Sequence, residues 1–220
     1  MTTLGELREQ TEVLSLLYDF RNNTLVNPKV QITTRDLLVK PIKRIVFHCT
    51  DSEGWSPERL STFFVDERGF SICAYHYYVT KDKIYHMVGE SVVTPHAAPF
   101  NSDSVAFSID YFASRDERLR IIPQKELMKN AIRTAAYLCL KHKVLPVKGA
   151  LVGHRELPGT GFFKGQNDIP ILRKTCPGLT IDLDIFRYAV AKLCQLALGI
   201  VADGIVGPKT KEAFAQLPKF

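Results

Sequence analysis

Apolar residues recur at helical spacing near the start of the chain. On a helix drawn through residues 4–20, one side carries the leucines Leu4, Leu7, Leu14 and Leu17. This spacing is typical of an amphipathic helix that packs on a larger domain. The pattern is then broken by a group of turn-forming residues, Asn22, Asn23, Asn27 and Pro28. We therefore expect the helix to end near residue 20.

Further apolar runs have the length of β-strands. Residues 42–50 (IKRIVFHCT) become fully apolar and then end in polar residues, and residues 104–110 (SVAFSID) and 148–153 (KGALVG) are similar short runs. Residues 72–88 contain two such runs on either side of Lys81-Asp82-Lys83. That arrangement predicts a β-hairpin with its turn at residues 81–83.

Two longer segments in the second half of the chain predict helices. Residues 123–143 begin with a proline, which suits a first helical turn, and one face carries Met128, Ile132, Ala135 and Cys139. Residues 182–198 have Asp182 as a plausible N-cap and Gly199 just past the end. Strands and helices thus alternate irregularly. We expect an α/β fold of the mixed α+β type, with a central mixed β-sheet flanked by helices.

Composition and charge narrow the class of protein. The 220 residues are 45% hydrophobic and 24% charged, which is ordinary for a soluble globular protein, and no apolar run reaches the roughly 18 residues of a membrane span. The N-terminal residues lack the apolar core of a secretory signal, so we expect synthesis in the cytoplasm. The net charge of +6 favours an anionic partner: nucleic acid, a membrane surface or cell-wall polymer. Nucleic acid is disfavoured because no basic run is interleaved with aromatic residues.

The cysteines do not predict a disulfide framework. Their number is odd and their spacing irregular: Cys49, Cys73, Cys139, Cys176 and Cys194. We interpret most of them as small buried apolar residues. Cys176 differs, because it lies in the polar sequence Arg-Lys-Thr-Cys-Pro-Gly, where two cations favour the thiolate.

Three residues form a candidate metal site. His48 and His154 each follow an apolar strand, where the sheet fixes the backbone and the side chain reaches an open edge. Two neutral imidazoles and the Cys176 thiolate suit Zn²⁺ and leave a fourth position for water, as in catalytic zinc sites. The spacing alone is not specific, since the three ligands are scattered along the chain.

Five segments, taken in order, carry a resemblance to a known family: residues 47–50, 74–89, 95–109, 153–157 and 173–178. Over residues 40–193 the chain resembles the zinc-dependent N-acetylmuramoyl-L-alanine amidases, which include amidase-type phage lysozymes and the peptidoglycan recognition proteins. The resemblance implies a catalytic domain over residues 41–189. A helical extension then precedes it at residues 1–40.

The resemblance also implies roles for individual residues. His48, His154 and Cys176 match the zinc ligands of the family. Tyr75 matches a tyrosine that hydrogen-bonds the reacting centre, and Lys174 matches a lysine that stabilises the developing oxyanion. The alternatives are an ordinary strand aromatic for Tyr75 and a solvated loop charge for Lys174.

His96 and Asn101 match a segment of the family that lines the substrate groove, although both could equally be turn residues. The chain departs from the family pattern in two places that affect the site. The loop over residues 156–174 is longer than in compact members and could form a lid or a substrate wall. Ser108 stands where some bacterial members have a glutamate, which favours the phage-type arrangement with Tyr75.

The C-terminal residues carry a second, shorter resemblance. Residues 190–217 are similar to the helix-turn-helix core of peptidoglycan-binding modules, with Asp203-Gly204 as the turn and Pro208 at the start of the next helix. A segment of residues 190–220 is too short to fold alone, so we expect it to pack on the amidase domain as a small helical appendage. The alternative is a helical cap without a ligand.

Together these features predict a zinc-dependent hydrolase that cuts the amide bond between N-acetylmuramic acid and L-alanine in peptidoglycan. We expect a monomer that acts on the cell wall after release, as a phage or prophage endolysin does. A cytosolic enzyme that recycles wall fragments is the alternative setting. The alternative functions are a non-catalytic peptidoglycan sensor, a zinc peptidase acting within the stem peptide and a structural zinc protein.

Overall fold

A mixed β-sheet of six strands forms the centre of the computed structural model, which describes residues 3–113, 121–158, 162–164, 170–172 and 175–219. The strands of this sheet are β1 (Leu17–Asp19), β2 (Arg44–Cys49), β3 (Tyr77–Val79), β4 (Ile84–His86), β5 (Ser104–Ile109) and β6 (Leu151–Gly153). A separate two-stranded sheet consists of β7 (Phe162–Lys164) and β8 (Pro170–Leu172). The helices are α1 (Leu4–Gln10), α2 (Pro57–Thr62), α3 (Lys125–His142), α4 (Leu183–Ala197) and α5 (Pro208–Gln216).

The strand order of the sheet is β1-β4-β3-β5-β2-β6. β2 pairs in parallel with both β5 and β6, β3 is parallel to β5, and β3 and β4 form an antiparallel hairpin. The predicted mixed sheet and the hairpin with its turn at residues 81–83 are therefore confirmed. Because β2 and β6 are parallel neighbours, their carboxyl ends meet at one edge of the sheet, and His48 and His154 lie at that edge.

Both faces of β2, an interior strand between β5 and β6, are covered by protein. Ile45 and Phe47 point into the core cluster that contains α3 and α4, and the Phe47 ring stacks on Phe107 and Phe186 with centroid separations of 4.7 Å in each case. Val46 packs on the opposite face, beside Val152. Since side chains alternate along a strand, His48 projects to the same face as Val46, away from α3 and α4.

The ends of α4 follow the sequence signals. The Asp182 carboxylate accepts hydrogen bonds from the backbone N–H groups of Asp184 and Ile185, at 2.9 and 3.0 Å. Gly199, directly after the C-cap residue Leu198, has a positive φ of 66°. The predicted N-cap and the predicted C-terminal glycine of this helix are both confirmed.

The helix predicted over residues 4–20 is shorter than expected. α1 ends at Gln10, and Glu12 adopts a positive φ of 57° that turns the chain. Residues 17–19 instead form β1, an edge strand parallel to β4. The predicted apolar face is not formed: Leu14, which belongs to it, is 53% exposed, and the backbone of residues 17–19 pairs with β4 instead.

The C-terminal segment packs on the rest of the chain. Phe214 and Leu217 belong to the core cluster that includes α3 and α4. The buried Gln195 amide of α4 donates to Asp203 and Thr210 and accepts from the backbone N–H of Gly204. The predicted turn at Asp203-Gly204 and the helix beginning at Pro208 are present, with α4 running unbroken through residue 190.

None of the helices in the described part of the chain is long and apolar enough to cross a lipid bilayer.

Candidate metal centre

The three predicted metal ligands come together at the carboxyl edge of the sheet. His48 belongs to β2, His154 begins the short 3-10 turn after β6, and Cys176 lies in the loop before α4. One ligand atom from each residue lies within 4.8 Å of the other two. The Nδ1 atom of His48 is 3.6 Å from the Cys176 sulfur, and the rings of His48 and His154 have a centroid separation of 4.6 Å.

This donor set fits a zinc ion. In a tetrahedral site with bonds of about 2.0 Å to nitrogen and 2.3 Å to sulfur, neighbouring donor atoms lie roughly 3.3 to 3.8 Å apart. The 3.6 Å between His48 Nδ1 and the Cys176 sulfur falls within that range. Two imidazoles and a thiolate are donors that zinc prefers, and three protein ligands leave one coordination position for water or substrate.

The Cys176 sulfur is held against the end of β2. The backbone N–H of Cys49 donates to the sulfur at 3.1 Å, a contact that stabilises negative charge there. The backbone carbonyl of Cys176 accepts from the N–H of Arg155 at 2.9 Å. The Arg155 guanidinium also donates to the carbonyls of Gly178 and Ile181. The cysteine loop is therefore tied to the turn that carries His154.

His154 is positioned through its neighbours in the chain. The Glu156 carboxylate accepts from the N–H of Gly153 at 3.0 Å and from both terminal nitrogens of Arg187, at 2.8 and 2.9 Å. Burial raises the pKa of Glu156, but the hydrogen bonds from Arg187 and Gly153 more than offset this effect and hold the pKa below its usual value. Glu156 is thus an anion that fixes the turn beginning at His154.

Gly153 is required by close packing at the end of β6. A Cβ atom at this position would lie 2.7 Å from Leu183 Cδ1 and 2.9 Å from Pro177 Cδ. Only glycine lets the strand approach the cysteine loop and the start of α4 this closely. Gly153 therefore helps to set the distance between the segments that carry the candidate ligands His154 and Cys176.

His96 contacts the ring of the candidate ligand His48 on the side away from Cys176. Its Nδ1 atom lies 3.2 Å from His48 Nε2, and its Nε2 atom lies 3.0 Å from the hydroxyl of Ser104. Burial, together with the nearby His76, His154 and Arg35, lowers the pKa of His96 well below 6.5, so its imidazole is neutral. Asn101 accepts hydrogen bonds from the N–H groups of His96 and Ala97. A role in substrate binding stays a prediction for both His96 and Asn101.

Tyr75 lies beside the candidate metal ligands His48 and Cys176. Its ring centroid is 5.1 Å from that of His48, and its hydroxyl oxygen is 3.5 Å from the carbonyl oxygen of Cys49. Burial and the nearby thiol of Cys176 raise the pKa of Tyr75 well above 10, so the phenol keeps its proton. Lys174 lies outside the described residues.

Sequence reasoning missed the residues that support the ligands. Nothing in the spacing of the chain links Arg187 to Glu156, which are 31 residues apart. The sequence pattern indicates Ser104 only as the first residue of a strand. The one available signal was the run GHREL at residues 153–157, which places an acidic residue two positions after a candidate ligand.

Comparison with known proteins gives a family match over the part of the chain that contains His48, His154 and Cys176. The family model described as N-acetylmuramoyl-L-alanine amidase matches residues 38–179, well over half of the chain. No curated protein matches the sequence significantly.

Solved structures with the same fold share little sequence with this chain. N-acetylmuramoyl-L-alanine amidase LysC from Clostridium intestinale URNW is 18% identical, with a TM-score of 0.56, and the match covers 84% of this chain and 98% of that one. The Ph2119 endolysin from the Thermus scotoductus MAT2119 bacteriophage Ph2119 is 20% identical, with a TM-score of 0.57 and coverages of 81% and 98%. Drosophila peptidoglycan recognition protein SD is 20% identical, with a TM-score of 0.54 and coverages of 75% and 89%.

Proposed function

The chain belongs to the N-acetylmuramoyl-L-alanine amidase family, and from this premise we propose that it hydrolyses the amide bond between N-acetylmuramic acid and L-alanine in bacterial peptidoglycan. One observation carries the proposal: the ligand atoms of His48, His154 and Cys176 lie within 4.8 Å of one another. These three residues would hold a zinc ion and leave one position open. Peptidoglycan is the proposed partner.

An amide resists hydrolysis because nitrogen donation makes its carbonyl carbon a poor electrophile. A bound zinc ion would polarise the carbonyl and lower the pKa of a coordinated water molecule from roughly 16 toward about 7. Tyr75 keeps its phenolic proton, so it can donate a hydrogen bond that orients the water or the substrate carbonyl. We assign to Lys174 the stabilisation of negative charge that develops on the carbonyl oxygen.

The neighbourhood of Cys176 supports a catalytic function over a purely structural one. Structural zinc sites are closed by four protein ligands, whereas the described residues here supply a group of three. A protonated tyrosine beside these residues can hold a substrate oxygen or a water molecule, which a catalytic site requires and a structural zinc site does not.

We further propose that the protein is a monomeric endolysin of a phage or prophage that acts on the cell wall after release. The fold it shares with a bacteriophage endolysin supports this setting. Residues 41–189 are the proposed catalytic domain, preceded by the extension over residues 1–40. Residues 190–220 are a proposed wall-binding segment.

The alternative is a protein that binds peptidoglycan without cutting it. This alternative is supported by the fold that the chain shares with a Drosophila peptidoglycan recognition protein. A zinc peptidase that cuts within the stem peptide would use the same metal site. The three functions differ in their products: the sensor releases nothing, the peptidase releases peptide fragments, and the amidase separates the whole peptide from the sugar.

Digestion of purified sacculi tests the proposal. We expect new free N-terminal alanine, detected by mass spectrometry, without new reducing sugar ends. Cleavage inside the stem peptide would establish the peptidase, and binding without any release would establish the sensor. The Cys176→Ser variant serves as the control, because it exchanges only the sulfur donor for an oxygen atom, and circular dichroism checks that it is folded.

A further inference from the structure

We infer that His96 is a positioning residue that fixes the tautomer and orientation of the ligand His48, and that Ser104 in turn holds His96. The inference rests on the proposed function, since it concerns the same metal site. It assigns to the His96 side chain a role distinct from substrate binding. The observation that carries it is a chain of three hydrogen bonds that starts at His48 and ends at a backbone carbonyl.

The direction of the chain can be determined from its far end. The backbone carbonyl of Phe100 can only accept a hydrogen bond, and the Ser104 hydroxyl lies 2.5 Å from it, so the hydroxyl proton points to Phe100. The Ser104 oxygen has no second proton to give. The His96 Nε2 atom, 3.0 Å away, must therefore be the donor in the bond between them.

The same reasoning continues to the metal ligand. A neutral imidazole carries one N–H, so His96 with a proton on Nε2 has a lone pair on Nδ1. His96 Nδ1 lies 3.2 Å from His48 Nε2 and can only accept in this hydrogen bond, so His48 Nε2 must carry the proton of its ring. The lone pair of His48 is left on Nδ1, the atom that faces the Cys176 sulfur at 3.6 Å. The hydrogen bonds to the ring thus leave Nδ1 of His48 as the nitrogen that can bind a metal ion beside Cys176.

The backbone of His96 is fixed as firmly as its ring. The Asn101 side-chain oxygen accepts from the N–H groups of His96 and Ala97 at 3.1 and 2.6 Å, and the Asn101 carbonyl accepts from Arg35 at 2.9 Å. The side chain of His96 is only 7% exposed, so water does not compete for its ring nitrogens. Partners of this kind raise metal affinity by keeping the ligand ring in place.

Two replacements of His96 separate positioning from simple packing. The oxygen of asparagine can occupy the place of Nδ1 and accept from His48, whereas the amide of glutamine reaches the place of Nε2. We therefore expect His96→Gln to weaken zinc binding by about 10- to 100-fold and His96→Asn to recover most of that loss. The readout is the zinc dissociation constant from competition with a chromophoric chelator.

Ser104→Ala is the second variant, and Ser61→Ala is its matched control. Both serines are fully buried and both hydroxyls accept a hydrogen bond, but Ser61 bonds the backbone of Leu25, remote from the ligands. We expect about a 10-fold loss of zinc affinity for Ser104→Ala. Ser61→Ala should bind zinc like the unchanged protein.

The tautomers can also be read without metal. In the zinc-free protein, two-dimensional ¹H–¹⁵N spectra of the imidazole rings should show the proton of both His48 and His96 on Nε2. A His48 proton on Nδ1, or equal zinc affinities for His96→Gln, His96→Asn and the unchanged protein, would overturn the inference while leaving the proposed function intact. Failure of the unchanged protein to bind zinc would overturn both.

Discussion

The two candidate histidine ligands lie at the carboxyl ends of neighbouring parallel strands, yet the protein holds them in different ways. His48 is held through its ring, because a hydrogen bond from Nε2 to His96 leads on to Ser104. His154 is held through its turn, because Glu156 binds the preceding N–H and is itself clamped by Arg187. The hydrogen bonds to the His48 ring determine which of its nitrogens faces Cys176. The contacts of Glu156 instead fix the backbone from which the His154 ring projects.

This difference separates two kinds of consequence. Changes behind His48 should lower zinc affinity with little loss of stability, since they alter the ring of one side chain. Substitution of Glu156 or Arg187, which hold the turn at His154, should lower both zinc affinity and stability. Arg187 of α4 also donates to the carbonyl of Leu151 in β6, so its loss weakens the packing of the helix on the sheet. Zinc affinity and the free energy of unfolding, measured on the same variants, therefore test the comparison directly.

The largest effect on zinc binding is expected from Cys176→Ser, which removes the sulfur donor from the three residues that would hold the ion. Serine is a poor zinc ligand at neutral pH, so zinc affinity should fall by more than the roughly 10- to 100-fold that loss of an outer hydrogen-bond partner costs. Isothermal titration with zinc measures the change. Zinc binding equal to that of the unchanged protein would remove Cys176 from the site.

Arg187→Met should produce the largest loss of stability. It leaves the Glu156 carboxylate without its bidentate partner, and we expect the free energy of unfolding to fall by about 3 kcal/mol. Urea denaturation of the zinc-free protein measures it. The matched control is Lys129→Met, which breaks an exposed ion pair with Glu126 and should change stability by less than about 1 kcal/mol. Equal effects of the two variants would contradict the role given to Arg187.

Gly153→Ala should destabilise the His154 side by overpacking. The new methyl group would press against Leu183 and Pro177, and we expect a loss of about 2 kcal/mol together with weaker zinc binding. Gly89→Ala is the control, because its Cβ would meet only the Ser91 hydroxyl at 3.9 Å. A Gly153→Ala protein with unchanged unfolding and zinc affinity would show that this close approach is not required.

The smallest effect concerns His76, which lies behind His96 on the His48 side. Burial, with the nearby Arg35, lowers the pKa of His76 from 6.5 to about 3, so the folded protein keeps this ring neutral while the unfolded chain gains a proton below pH 6.5. Stability should therefore fall as the pH drops, by about 1 kcal/mol from this residue between pH 6.5 and 5.5. NMR titration that places the His76 pKa near 6.5 would contradict this prediction.

The candidate ligands could be proposed from the sequence because two of them follow apolar runs and because all three lie in segments that resemble a known family. An apolar run that ends at a histidine indicates a strand end, and parallel strands bring such ends together, as they do for His48 and His154. The contact between His48 and His96 could not be predicted in the same way. It depends on how the segment after β4, which contains His96, packs against β2. The two residues are 48 positions apart, and no local pattern in the sequence indicates that they are in contact.

The N-terminal residues show the limit of helical spacing as evidence. Leu7 and Leu17 fit one face of a helix. In the structure, residues 17–19 instead pair with the edge of β4, where backbone hydrogen bonds between the two strands stabilise both. Local periodicity does not reveal an open sheet edge elsewhere in the chain. The turn at Glu12 follows from that competition.

X-ray absorption spectroscopy at the zinc edge, on protein loaded with one equivalent of zinc, shows which atoms bind the ion. We expect one sulfur donor at about 2.3 Å and nitrogen or oxygen donors at about 2.0 Å in the remaining positions. A first coordination shell without sulfur, or with two or more sulfurs, would contradict a centre built from His48, His154 and Cys176.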